Sequence, residues 1–283
     1  MHTGLIAILF TTLLPLPIFA DTALDPVFGV KVSIVAMQGL LASLPPPSLE
    51  KGGFAVPVQG TYLTGKATGP MPGIGTYNAT FKGNGYTAGL TSGEVYDFRF
   101  FVMAMANSMN GSVDINPTTS SFALTHLDNV KTSGQAVIAG LGYRLIGGDK
   151  SPFALGLFGG GAAFKFNSQF SIPGGYGFES TYESNPTIAG PLAGLQFDVK
   201  LGPIFINPYG FFFSDQSKCK AYDSPTNPTS DGCLTTSASF TAFGLNVGYK
   251  SLRLNAYSMV RNSQDLDSVK INAYSLSYTF GGD

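Results

Sequence analysis

The chain has 283 residues, 12% of them Asp, Glu, Lys or Arg, with a formal net charge of −1. That balance gives no electrostatic footprint for nucleic acid, and the charged share is about half the usual 25% or so of a soluble domain. Beyond residue 20 no stretch reaches the ~20 apolar residues of a membrane-spanning helix.

Residues 1–20 read as a secretory signal. A compact apolar core from Leu5 to Leu14 is followed by Pro15 and Pro17, and Ala20 offers a small residue before Asp21. Only His2 precedes the core, so the positive n-region is missing. The alternative is an uncleaved anchor, which the short run and its prolines oppose. The division is therefore 1–20 signal peptide and 21–283 one β-barrel domain.

Residues 28–41 allow two readings. Val30, Val32 and Ile34 against Lys31 and Ser33 suggest a first strand, whereas Ile34, Met37 and Leu41 form one helical stripe, and a helix here would plug or cap the barrel and lower the strand count by one. Strands are then expected over 53–64, 74–86, 93–106 and 119–128. In 74–86, Tyr77, Ala79 and Phe81 oppose Thr76, Asn78, Thr80 and Lys82. In 93–106, Tyr96, Phe98 and Phe100 oppose Asp97 and Arg99.

The C-terminal half is more regular, with strands expected over 135–146, 153–166, 187–201, 204–214, 236–250, 252–261 and 268–280. The segment 187–201 is the clearest. Leu195, Phe197, Val199 and Leu201 alternate with Gln196, Asp198 and Lys200, so one face is apolar and the other polar. It exceeds the usual five or six residues of a soluble strand and suits the nine to eleven or so of a tilted membrane strand. Short and long connections alternate through this half, as in barrels with short turns on one side and longer loops on the other. Gly159–Gly161 marks a change of phase, from Leu155 and Leu157 to Phe164 and Phe166. A one-residue bulge is expected there, or else a weakened strand. Counting 28–41 as a strand, the fold is a transmembrane antiparallel up-and-down β-barrel of about twelve strands. A soluble exported β-sandwich is the alternative fold.

Cys219 and Cys233 flank a polar, proline-containing loop, and in an exported chain such a pair reads as a disulfide.

At the last strand Tyr274, Leu276, Tyr278 and Phe280 share one face and end on an aromatic, with Gly281, Gly282 and Asp283 following. This resembles the terminal strand of Gram-negative outer-membrane β-barrel proteins. The resemblance implies a location in the cell outer membrane, with its lipid and the barrel-assembly machinery as partners.

With apolar faces turned outward, the interior is expected to carry Lys82, Asp97, Arg99, Arg144, Lys165, Gln196, Asp198, Lys200, Lys250 and Arg253. Arg or Lys facing lipid at mid-membrane would cost about 2–4 kcal/mol. Such a lining suits a channel or transport-related barrel for small polar or anionic solutes. The alternative is a sealed interior whose outer loops bind a surface partner. A weaker alternative is an outer-membrane hydrolase using His126 with Asp128, although their parity points outward. No phosphate-loop motif and no metal-ligand spacing occurs, so neither cofactor nor metal is expected.

Overall fold

The computed structural model of the chain describes residues 35, 39–42, 44, 53–71, 75–92, 96–118, 126–147, 151–173, 179–184, 187–214, 238–263 and 268–281. The expected signal peptide and the Cys219–Cys233 pair lie outside these residues.

Among the described residues there are eleven strands. They are β1 (Ala55–Met71), β2 (Gly75–Thr91), β3 (Phe98–Pro117), β4 (His126–Ile146), β5 (Phe153–Pro173), β6 (Glu179–Ser184), β7 (Thr187–Leu201), β8 (Ile204–Ser214), β9 (Ala238–Tyr249), β10 (Leu252–Ser263) and β11 (Ser268–Gly281). Each pairs antiparallel with its neighbour, β1 closes on β11, and the β4–β5 pairing completes the ring. Ten strands form this up-and-down barrel. The short β6 pairs only with the far end of β5, Ser168–Pro173, in line with β7.

The count of about twelve is thus corrected to ten. Two expected strands do not exist separately. Val35 and residues 39–41 are helical, so the strand reading of 28–41 fails where it is described. The expected strands over 119–128 and 135–146 are one strand, β4, in the part described. Its register with β3 shifts near Asn129, which has φ 58°. Polar residues there had mimicked a loop.

The expected bulge at Gly159–Gly161 is absent as well. Gly159, Gly160 and Gly161 pair in unbroken register with both β4 and β7, and the β4–β5 register shifts instead between Arg144 and Ile146. Phe158, Ala162 and Phe164 are all buried on the inner face, so the phase never changes. The aromatic side chains had been assigned to the outer face, but both faces of β5 are apolar.

The tight turns lie at one end. Gly202 takes φ 64° between β7 and β8, and Lys250 takes φ 53° between β9 and β10. Tyr96 and Asp97, at φ 52° and 65°, lead into β3. On this side the wall exposes a belt of apolar residues: Phe98, Phe100 and Val102 on β3, Phe243, Leu245 and Val247 on β9. The belt covers residues 98–106 of β3 and 153–163 of β5, a length that suits a tilted membrane crossing. Aromatics cluster at its lower edge, where Phe98 meets Tyr143 at 4.5 Å and Tyr278 meets Phe280 at 4.7 Å. Strands β1–β5 are 17–21 residues long and carry on past the belt as a polar wall.

Candidate functional site: a plugged lumen

The barrel interior is built in two levels. Towards the tight-turn end a polar row crosses five strands. Asn207, Asn246, Asn255, Ser275 and Thr61 are successive cross-strand partners, all buried. Asn246 donates to Asn207 at 3.4 Å, Thr61 and Ser275 share a hydrogen bond at 3.0 Å, and Asn207 donates to the Asp198 carboxylate. Asn255 and the Tyr209 hydroxyl exchange bonds at 2.8 and 3.1 Å. Paired side chains of this kind satisfy polar groups that burial would otherwise penalise.

Above this row the interior is mostly apolar, with Asn107 and Thr132 also buried. Phe164 meets Phe213 edge-on and Phe213 meets Phe240 at a tilt, with ring centres 5.2 and 6.1 Å apart, and the Phe211 ring centre lies 5.8 Å from that of Tyr257. Into this chamber projects the chain before β1. Leu40, Leu41 and Leu44 are 0–1% exposed. Gly39 is pressed against the inner wall. A Cβ there would lie 2.6 Å from Asn107 Nδ2 on β3, 3.0 Å from Met109 Sδ and 3.3 Å from Leu63 Cδ1 on β1. Across the lumen, the Tyr257 hydroxyl of β10 donates to the Leu41 carbonyl at 3.4 Å. The N-terminal segment therefore touches opposite walls and plugs the barrel.

The ten residues expected to line the lumen separate into three groups. Arg99, Arg144, Gln196 and Asp198 are buried on the inner face, and Arg253 shares that face with its guanidinium 4.4 Å from the Phe205 ring centre. Asp97, Lys200 and Lys250 stand exposed at the tight-turn rim. There the Asp97 carbonyl accepts the Arg144 amide at 3.0 Å, and the Lys250 ammonium lies 5.7 Å from the Tyr249 ring centre. Lys82 and Lys165 are corrected: both are exposed on the outer face, with Tyr86 and Ala163. On β2 the apolar Tyr77, Ala79 and Phe81 face the core, so the lysine beside them faces out.

The helical reading of residues 28–41 carried a plug or cap of the barrel with it, whereas the asparagine row was missed in the sequence. A signal existed for the row, since Asn207, Asn246 and Asn255 each interrupt an apolar strand on the face opposite its exposed side chains. His126 is exposed near the long-loop rim, between Asp114 (Nδ1 to Oδ1, 2.6 Å) and Asp128 (Nε2 to Oδ1, 3.0 Å). The Asp114 hydrogen bond, followed by that of Asp128, raises its pKa above the usual histidine value. Among the described residues no group of three or more His, Cys, Asp or Glu side chains is arranged to hold a metal.

No protein-family model and no curated protein matches the chain. Among solved structures it is similar to the translocator domain of the autotransporter NalP from Neisseria meningitidis, at 13% identity and TM-score 0.48, covering 92% of this chain and 97% of that one. It is similar to the outer membrane protease OmpT from Escherichia coli, at 12% identity and TM-score 0.45, covering 80% and 96%. A third is the outer membrane protein OprG from Pseudomonas aeruginosa, at 12% identity and TM-score 0.39, covering 83% and 99%. The barrels it resembles are Gram-negative outer-membrane proteins.

Proposed function

We propose that this chain is an outer-membrane barrel that serves transport and is held closed at rest by its own N-terminal segment. The exposed apolar belt with its aromatic edge supports the membrane-spanning reading, because such a band is what lipid requires of a barrel wall. The chamber above the polar row is lined mainly by Phe, Met, Leu and Ile, with Asn107, Thr132 and the Tyr257 hydroxyl among them. The solute class it favours is therefore small and apolar or amphipathic, in place of the small polar solutes expected from sequence.

The observation that carries this reading is the near-complete burial of Leu40, Leu41 and Leu44 inside the chamber. Their attachment is mainly non-directional apolar contact, worth roughly 1.5–3 kcal/mol for each fully buried side chain. An apolar solute offers the same walls an equivalent contact and competes with the plug for them. Planar-bilayer conductance of the refolded chain tests the gate. The intact barrel is expected to be silent, and a variant lacking residues 35–44 is expected to conduct. A deletion variant that is folded, inserted and still silent would show a permanently sealed barrel and favour the second reading. In that reading the lumen is structural and the outer loops bind a surface partner, and the densely filled interior supports it.

A further inference from the structure

The outer wall of β1–β5 carries a shallow groove of about 620 Å³. Its floor is a row of small residues in register: Val58, Ala88, Ala104, Val137 and Ala163 on five successive strands. The next row toward the long loops is Tyr86, Ala106, Gln135 and Lys165. Above it stand Asn84, Ser108 and Ser133, and then Lys82, Asn110 and Lys131. Side chains on one face repeat every second residue, so these rows lie roughly 7 Å apart along the strands.

We propose that this face docks a phosphate-bearing glycolipid from the membrane leaflet at the long-loop end. The proposal rests on the membrane-spanning reading. The small residues leave a trough in the apolar belt that acyl chains fill. Lys165 stands at the upper edge of that trough, and Lys82 and Lys131 stand two rows higher. All three are exposed and have no ion-pair partner among the described residues. Between the two cationic levels lie only amide and hydroxyl side chains, which suit sugar hydroxyls held between two phosphates. Glu183 of β6 stands in register with the upper row, beyond Lys131 and Gln169, and Asp114 and Asp128 lie nearer the rim, engaged with His126. A simple two-chain anionic phospholipid would use one cationic level and leave the other unused.

The test uses the full chain refolded into phosphatidylcholine nanodiscs, titrated with lipid A, with dephosphorylated lipid A and with phosphatidylglycerol. The K82Q/K131Q/K165Q variant is expected to bind lipid A about tenfold or more weakly, while K82R/K131R/K165R stays close to the wild type, since a surface cation attracts lipid phosphate by charge. Dephosphorylated lipid A and phosphatidylglycerol are expected to bind more weakly than lipid A. Equal affinity of the Gln variant, or of the dephosphorylated probe, overturns the proposal. Equal binding of phosphatidylglycerol overturns the glycolipid assignment. The heat-modifiable gel shift of each variant confirms that it is folded. A wild-type chain that folds but does not enter phosphatidylcholine bilayers sinks the membrane-spanning reading instead.

Discussion

The Tyr257 hydroxyl donates to the main-chain carbonyl of Leu41 at 3.4 Å, tying the plug to the barrel wall through a backbone atom. Such a tie does not depend on the identity of the Leu41 side chain, whereas the apolar seal around it does. Tyr257→Phe is expected to weaken plug attachment by about 0.5–1.5 kcal/mol, the usual net value of one hydrogen bond. Leu40→Asp with Leu41→Asp should have a far larger effect, because a carboxylate in the apolar chamber costs much more than it gains. Brief openings for the first variant and sustained conductance for the second are the expected single-channel records.

Gly39 supplies a separate handle on the same segment. The space its missing Cβ would occupy is taken by Asn107, Met109 and Leu63 side chains from two strands. Alanine can be accommodated by movement of the Asn107 and Met109 ends. Leucine cannot, and Gly39→Leu is expected to displace the segment and expose it to added protease while the barrel itself stays resistant. A protease pattern identical to the wild type would mean that the segment has room the geometry denies.

The polar row contributes stability through the strands it links. Asn207 both accepts from Asn246 and donates to Asp198, so Asn207→Ala removes one donor from a buried carboxylate and one acceptor from a buried amide. The expected loss is about 1–3 kcal/mol. Asn84→Ala, on the exposed outer face, should stay within about 0.5 kcal/mol. Urea unfolding of barrels folded in vesicles separates the two.

The membrane-spanning reading makes a depth-dependent prediction. Val102 lies in the middle of the β3 belt and is 47% exposed. Val102→Arg should cost about 2–4 kcal/mol in a bilayer, and Asn84→Arg, above the belt on β2, about 0–1 kcal/mol. Equal costs measured by folding efficiency into vesicles would argue that the belt does not face lipid.

The wall was legible in the sequence and the lumen only in part, since Arg99, Arg144, Gln196, Asp198 and Arg253 lie on the inner face while Lys82 and Lys165 do not. Period-two alternation revealed β7, β8 and β10 almost to the residue, because tight turns such as Gly202–Pro203 punctuate them. Alternation tells two faces apart but does not say which one is inside. Where Phe81 buries itself and Lys82 faces out, or Phe164 buries itself and Lys165 faces out, an apolar interior reverses the assignment that a wet lumen would dictate. The plug was legible only as one arm of an open choice, through the helical stripe of Ile34, Met37 and Leu41. The depth of its burial was not legible, because it comes from strands distant in sequence: Gly39 lies against β1 and β3, and Tyr257 of β10 holds the Leu41 carbonyl.

His126 provides the pH prediction. Its ring nitrogens face the carboxylates of Asp114 on β3 and Asp128 on β4, on the exposed wall beside the register shift between those strands. The charged imidazolium can donate to both carboxylates at once; the neutral ring donates to only one. The folded-state pKa is accordingly raised, first by Asp114 and then by Asp128. A raised folded pKa means that the clamp is fully present below the unfolded value of about 6.5, and is lost as pH rises through the folded value. Amide exchange at the long-loop end of the β3–β4 pair is therefore expected to quicken as pH rises past that point, after correction for the intrinsic rate. Asp114→Asn should lower the His126 pKa more than Asp128→Asn, and imidazole proton shifts followed by NMR provide the direct reading. A histidine titrating at its ordinary value in the folded barrel would show that the two carboxylates do not hold it.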